Sequence, residues 1–133
     1  MIKTYTVESR SRDEMIDVTS LVQKAVTESK IDAGMIICFV PHTTAALTIN
    51  ENADPAVKRD LLYKLSKEIP MDDGYHHSEG NSDAHLKASL FGFSEQILFE
   101  KRHLLLGTWQ AVYFCEFDGP RRRKLIVRVI PLG

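Results

Sequence analysis

The chain has 133 residues, with 17 Lys and Arg against 18 Asp and Glu, a formal net charge of -1, and 44% hydrophobic side chains. These values fit one globular domain over residues 1–133 and exclude a disordered chain. They provide no global basic field for nucleic acid, and no apolar run approaches the ~20 residues that span a bilayer.

Residues 3–8 alternate and predict a strand, followed by a turn at 10–13 and a second short strand at 15–18. Thr19 or Ser20 is expected to cap a helix reaching Lys30, with Leu21, Val22, Ala25 and Val26 on one face. Residues 35–40 are apolar on both faces, the pattern of a central strand covered on both sides. Pro41 ends that run, and 45–50 reads as another strand. Asp54-Pro55 opens a helix carrying Val57, Leu61, Leu62, Leu65 and Ile69, which Pro70 stops.

Residues 71–82 form a long polar loop. A short helix over 83–91 follows, with Ser82 as its cap and Gly92 at its end. The last third reads as strands at 95–100, 103–106, 108–117 and 124–130. The order gives an α+β domain, a mostly antiparallel β-sheet sandwich with helices packed on one side. Cys38 and Cys115 sit singly inside apolar runs, which predicts buried free thiols rather than a zinc or redox spacing. The first residues lack the apolar core of a signal peptide, so a soluble cytoplasmic protein is expected.

Four segments carry chemistry. His42-Thr43-Thr44 lies past a buried strand, where an imidazole and hydroxyls can hold an oxyanion or place a base; a local hydrogen-bonded turn is the plainer alternative. Residues 50–54 read first as an acidic capping segment, yet Glu51 continues the face of Ala45, Leu47 and Ile49.

Three of the five His, namely His76, His77 and His85, fall within ten residues and alternate with Glu79 and Asp83. Zinc or a related divalent ion accepts such donors, and Gly80-Asn81-Ser82 places backbone N–H groups at a helix start, where an anion can bind. A solvated loop is the alternative. Asp118-Gly119-Pro120 turns the chain into Arg121, Arg122, Arg123 and Lys124, either a solvated hairpin tip or a phosphate clamp. Gln110 and Glu116 share a strand face, and His103 reads as structural.

Residues 42–55, 79–89 and 107–110, with Arg121 to Arg123 beyond, resemble the YjbQ family of small proteins over nearly the whole chain. That resemblance implies a compact α+β subunit in a homotrimer, with a site near the subunit contacts. It also implies a secondary thiamine-phosphate synthase activity on a small phosphorylated substrate, in which an aminopyrimidine pyrophosphate joins a thiazole phosphate and pyrophosphate leaves.

The resemblance raises His42, Thr43, Thr44 and Glu51 as catalytic candidates. Asn52, Gly80, Asn81, Ser82, Gln110, Arg121, Arg122 and Arg123 become candidates for substrate binding. His42, His77 and His85 become ligands of a divalent ion, zinc or magnesium, with Glu51 or Asp83 as a nearby carboxylate. Trp109 is expected in the core, with stacking on a heteroaromatic ring as the alternative. The alternatives are a non-enzymatic trimeric module that binds a metal or anion, and a different metal-dependent transfer or hydrolysis. Neither nucleic acid nor a membrane is expected as a partner.

Overall fold

A computed structural model describes residues 2–133. In chain order it contains β1 (Ile2–Glu8), β2 (Glu14–Asp17), α1 (Thr19–Ser29), β3 (Gly34–Phe39), β4 (Ala45–Glu51) and α2 (Pro55–Glu68). It continues through α3 (Ser82–Phe91), β5 (Ser94–Glu100), β6 (His103–Leu104), β7 (Gln110–Glu116) and β8 (Arg122–Pro131). The strands form a five-stranded sheet, β1-β8-β3-β5-β6, and a three-stranded sheet, β2-β7-β4. Every pairing is antiparallel, so the α+β expectation holds.

Alternation along the strands builds two cores. Ala45, Leu47, Val112 and Phe114 of the three-stranded sheet meet Ile36, Cys38, Ile97, Leu125 and Val127 of the five-stranded one, with Val22, Ala25 and Val26 of α1. The opposite face of the three-stranded sheet carries Met15, Ala46, Ala111, Tyr113 and Cys115. It packs on Ala84 and Ala88 of α3 and on Leu61, Leu62 and Leu65 of α2. Both cysteines are buried free thiols, and burial pushes the Cys38 thiol up to about 12.

Several local expectations change. Thr19 does not cap α1; Val18 holds that position without a side-chain bond. The Thr19 hydroxyl instead donates to Asp17 Oδ1 (2.6 Å) and accepts from the Val112 amide (2.9 Å), which ties α1 to β7. Ser82 is the first residue of α3 rather than its cap, because Asn81 takes the cap position. Asp54 behaves as expected: its Oδ1 accepts from the Ala56 amide at 2.9 Å, with Pro55 opening α2.

β3 is central in its sheet but is not covered on both sides. Phe39 is 44% exposed, and Met35 and Ile37 are only half-buried. Trp109 stands 61% exposed, outside the core. No residue of α2 is fully buried.

Candidate functional site

The end of the sandwich where β3 leaves and β4 begins opens into a cavity of about 560 Å³. Phe39, Val40, Pro41 and Phe93 give it an apolar wall, and His42, Thr43, Thr44, Arg121 and Arg123 a polar one. Pro41 ends the β3 ladder and turns 42–44 into this mouth before β4 resumes. His42 Nε2 accepts a hydrogen bond from the Lys124 backbone amide at 2.9 Å. Burial, then the positive charges of Arg123, Arg121 and Lys124, hold the His42 pKa below the ordinary histidine value against the opposing pull of Glu116.

The four-cation run does not act as one clamp, because strand period two separates its members. Arg123 points between the sheets at 3% exposure. Its Nε donates to Glu116 Oε1 at 2.9 Å and its Nη2 to Glu116 Oε2. The same Nη2 reaches Thr44 Oγ1 at 2.8 Å and the Thr44 carbonyl at 3.2 Å. Arg122 points the other way and pairs with Glu8 on the exposed face of β1. Arg121 lies at the cavity mouth, where its Nη2 donates to Asp118 Oδ2 at 3.0 Å. Phosphate binding by all three arginines together is therefore not what this arrangement offers: Arg123 is spent on Glu116, and Arg122 faces away.

Glu116 is the hub beneath the cavity. It is fully buried and accepts from Ser9 Oγ (2.7 Å), the Asp118 amide (3.0 Å) and the Arg123 guanidinium. Burial alone would raise its pKa, but the hydrogen bonds from Arg123, Ser9 and Asp118 outweigh it and hold the carboxylate below its usual range.

The start of α3 reaches the same region. Asn81 Nδ2 donates to Asp118 Oδ2 at 2.9 Å, the carboxylate oxygen that also holds Arg121. Beneath it, Asp83 is fully buried and takes a two-point contact from Arg12, both at 2.9 Å. Lys87, 1% exposed, donates to Asp83 at 3.1 Å and to Asp13 at 2.9 Å. Asp83 is thus fully engaged in holding α3 against the 10–13 turn, which removes it as a carboxylate beside a metal. Gly80 and Ser82 flank Asn81, but Ser82 borders a separate hollow with Tyr75, His76, His77, His85 and Leu86.

In that hollow the His77 and His85 rings meet edge to face, with centroids 5.5 Å apart. His77 Nε2 lies 3.7 Å from Glu79 Oε1. Among the described residues, no three His, Cys, Asp or Glu side chains are grouped so as to hold a metal ion. His42, His77 and His85 therefore form no ligand set within one chain, and the Nε2 lone pair of His42 is already occupied.

The remaining candidates lie at the other end. β4 pairs with β7 so that Ala45 faces Glu116 and Glu51 faces Gln110. The six steps between them span about 20 Å. Glu51 offers its carbonyl to the Tyr113 hydroxyl (3.1 Å), Asn52 reaches Asp17 (3.3 Å), and Gln110 Oε1 accepts from the Gly107 amide (2.8 Å). The structure thus separates His42, Thr43 and Thr44 from Glu51, Asn52 and Gln110.

Ser9, Arg12 and Lys87 went unnoticed in the sequence. Lys87 had one usable signal: it stands four residues after Asp83, on the helix face that also carries Ala84 and Ala88. Ser9 and Arg12 reach partners 107 and 71 residues away, and no local pattern announces such contacts.

Residues 3–132 match the family model described as UPF0047 protein YjbQ-like. A UPF0047 protein of Methanocaldococcus jannaschii is 48% identical over 98% of this chain and 94% of its own length. The UPF0047 protein YugU of Bacillus subtilis is 45% identical over 98% and 99%. The crystal structure of an uncharacterized YjbQ/UPF0047 family protein from Clostridium acetobutylicum superposes with a TM-score of 0.95 at 55% identity, covering 96% of this chain and 99% of the other. A YbjQ-like protein of unknown function from Sulfolobus solfataricus gives 0.94 at 29% identity, over 99% and 97%.

Proposed function

Since the chain belongs to the UPF0047 family of YjbQ-like proteins, we propose that it is a transferase of the secondary thiamine-phosphate synthase type. In that reaction the thiazole nitrogen attacks the methylene carbon of the aminopyrimidine pyrophosphate. A C–N bond forms, the C–O bond breaks, and its electron pair leaves on pyrophosphate. Bond formation needs no proton transfer. It needs stabilisation of charge gathering on the leaving group.

One observation carries the reading: the cavity at His42 joins an aromatic wall, Phe39 and Phe93, to a mouth edged by Arg121, Thr43 and Thr44. The apolar side suits a flat heteroaromatic ring and the other a phosphorylated tail. Asp118 orients Arg121, and Arg123 fixes Thr44 from below. A synthase assay on the wild type, His42→Ala and Arg121→Ala tests it. Product from the wild type and a loss of tenfold or more in each variant are expected, on the order of one charge-assisted hydrogen bond. Unchanged rates in both variants would remove this cavity from catalysis. No product from the wild type, with pyrophosphate still bound, would favour a non-enzymatic anion-binding module.

A divalent ion does not fit the donors of a single chain, so no step is assigned to one. The His77–His85 pair would need a further ligand from a second subunit. A homotrimer is part of this proposal. Its support is apolar surface left open: α2 buries no residue, and Tyr63, Leu86 and Leu90 are 65%, 46% and 70% exposed. Light scattering that returns a monomer would reject it.

A further inference from the structure

We infer that His42 serves the cavity as a neutral hydrogen-bond donor through Nδ1–H, recognising a phosphoryl oxygen, and that the Lys124 backbone amide imposes this role. The inference deepens the transferase reading and rests on it for the identity of the ligand.

A neutral imidazole has one N–H and one lone pair. The Lys124 amide donates to Nε2 at 2.9 Å, so the lone pair is at Nε2 and the proton at Nδ1. The opposite tautomer would set two N–H groups head to head. A main-chain amide cannot rotate or deprotonate to relieve that clash, so it fixes the tautomer more firmly than a side-chain partner would. Among the described residues, none accepts a hydrogen bond from Nδ1, and His42 lines the cavity.

Two chemical consequences follow. With its lone pair committed, His42 neither abstracts a proton nor binds a metal without releasing the Lys124 amide. What it offers is a directed N–H. The charges around it favour an anion as acceptor: Arg121 stands beside it at the mouth, and the Lys124 side chain is exposed. Burial and these cations also keep the ring neutral. Pyrophosphate departure calls for a donor and no base, in keeping with this role.

Two measurements test the inference. The nitrogen chemical shifts of His42 in labelled protein report the tautomer directly. A protonated Nδ1 and an unprotonated Nε2 are expected, and a protonated Nε2 would overturn the inference. Titration with inorganic pyrophosphate then compares two variants. In His42→Asn the amide nitrogen can take the place of Nδ1, and affinity within about threefold of wild type is expected. In His42→Gln the side-chain oxygen reaches the Nε2 position and satisfies Lys124, but no N–H stands at the Nδ1 position, and affinity should fall about tenfold or more. The reverse order, or equal loss in both variants, would overturn the inference. These readouts need no turnover. A protein that keeps the tautomer and the variant order but makes no thiamine phosphate would refute the transferase reading alone.

Discussion

The Arg123 guanidinium and the Glu116 carboxylate meet between the two sheets, and both are almost wholly excluded from water. The pair joins β7 of one sheet to β8 of the other just below the cavity floor. Because Arg123 also holds Thr44, one contact fastens the sandwich and shapes the site.

Breaking this pair from one side leaves a buried charge without compensation, which costs about 3–5 kcal/mol. Glu116→Gln is therefore expected to lower unfolding stability by about that amount. Urea denaturation with an unchanged slope would measure it. A loss below about 1 kcal/mol would show that water or another group relieves Arg123.

The alternation of the cationic run separates affinity from bystander effects. Arg121→Ala should weaken inorganic pyrophosphate binding by about tenfold, since an aimed guanidinium at the mouth is lost. Arg122→Ala removes only an exposed pair with Glu8, and such pairs contribute about 0–1 kcal/mol at most to stability. Its pyrophosphate affinity should match the wild type. Calorimetric titration of both variants decides the matter, and equal losses would mean that the run works as one electrostatic patch.

The acid response has a definite sign. Burial pushes Asp83 and Glu116 upward, but hydrogen bonds from Arg12 and Lys87, and from Arg123 and Ser9, bring both below their ordinary values. Carboxylates with lowered folded pKa values contribute stability that is fully present above the unfolded range, about pH 4, and that drains away as the pH falls through the folded values. His42, also lowered by burial and its cationic neighbours, acts in the same direction near its ordinary pKa of about 6.5. Thermal stability should therefore hold above about pH 6.5, dip slightly on acidification, and fall steeply only below about pH 4. His42→Asn should remove the first, shallow loss.

Gly119 is required by crowding. A Cβ there would stand 2.3 Å from the Ser11 carbonyl oxygen and 2.6 Å from Ser9 Oγ. The Gly119 amide also bonds the Arg12 carbonyl at 3.0 Å, so the β7–β8 turn lies flat on the 9–12 segment. Gly119→Ala should cost about 1–3 kcal/mol, in the range of overpacked sites, and should weaken pyrophosphate binding through Arg121. A melting curve and a titration on the same sample would show both.

Much of the architecture was legible because it depends on local pattern. The alternation of 3–8, the Asp54-Pro55 helix start and Gly92 at the end of α3 each state their role within a few residues. The site was less legible because its parts lie far apart in sequence. His42-Thr43-Thr44 and Glu51-Asn52 read as one motif but occupy opposite ends of β4, since a strand carries its residues apart while a turn would have gathered them. Asp83 resembled a metal carboxylate because the sequence does not show that Arg12 folds onto it. The half-covered β3 face and the half-covered α2 were equally hidden: hydropathy marks what avoids water, but not how completely the fold covers it.

The geometry of residues 121–124 has a consequence for variation. Four adjacent cations look interchangeable, and a cumulative count of charge would treat them so. Their side chains instead answer to different masters: an open mouth, an outer sheet surface, a sealed ion pair and solvent. A saturation scan across this run should therefore produce a beat rather than a plateau. Position 123 should admit almost nothing, position 122 almost anything polar, and position 121 only what still binds an anion. At position 124 proline should be forbidden, because it removes the backbone N–H that reaches His42, while loss of the side-chain charge should only weaken anion binding modestly.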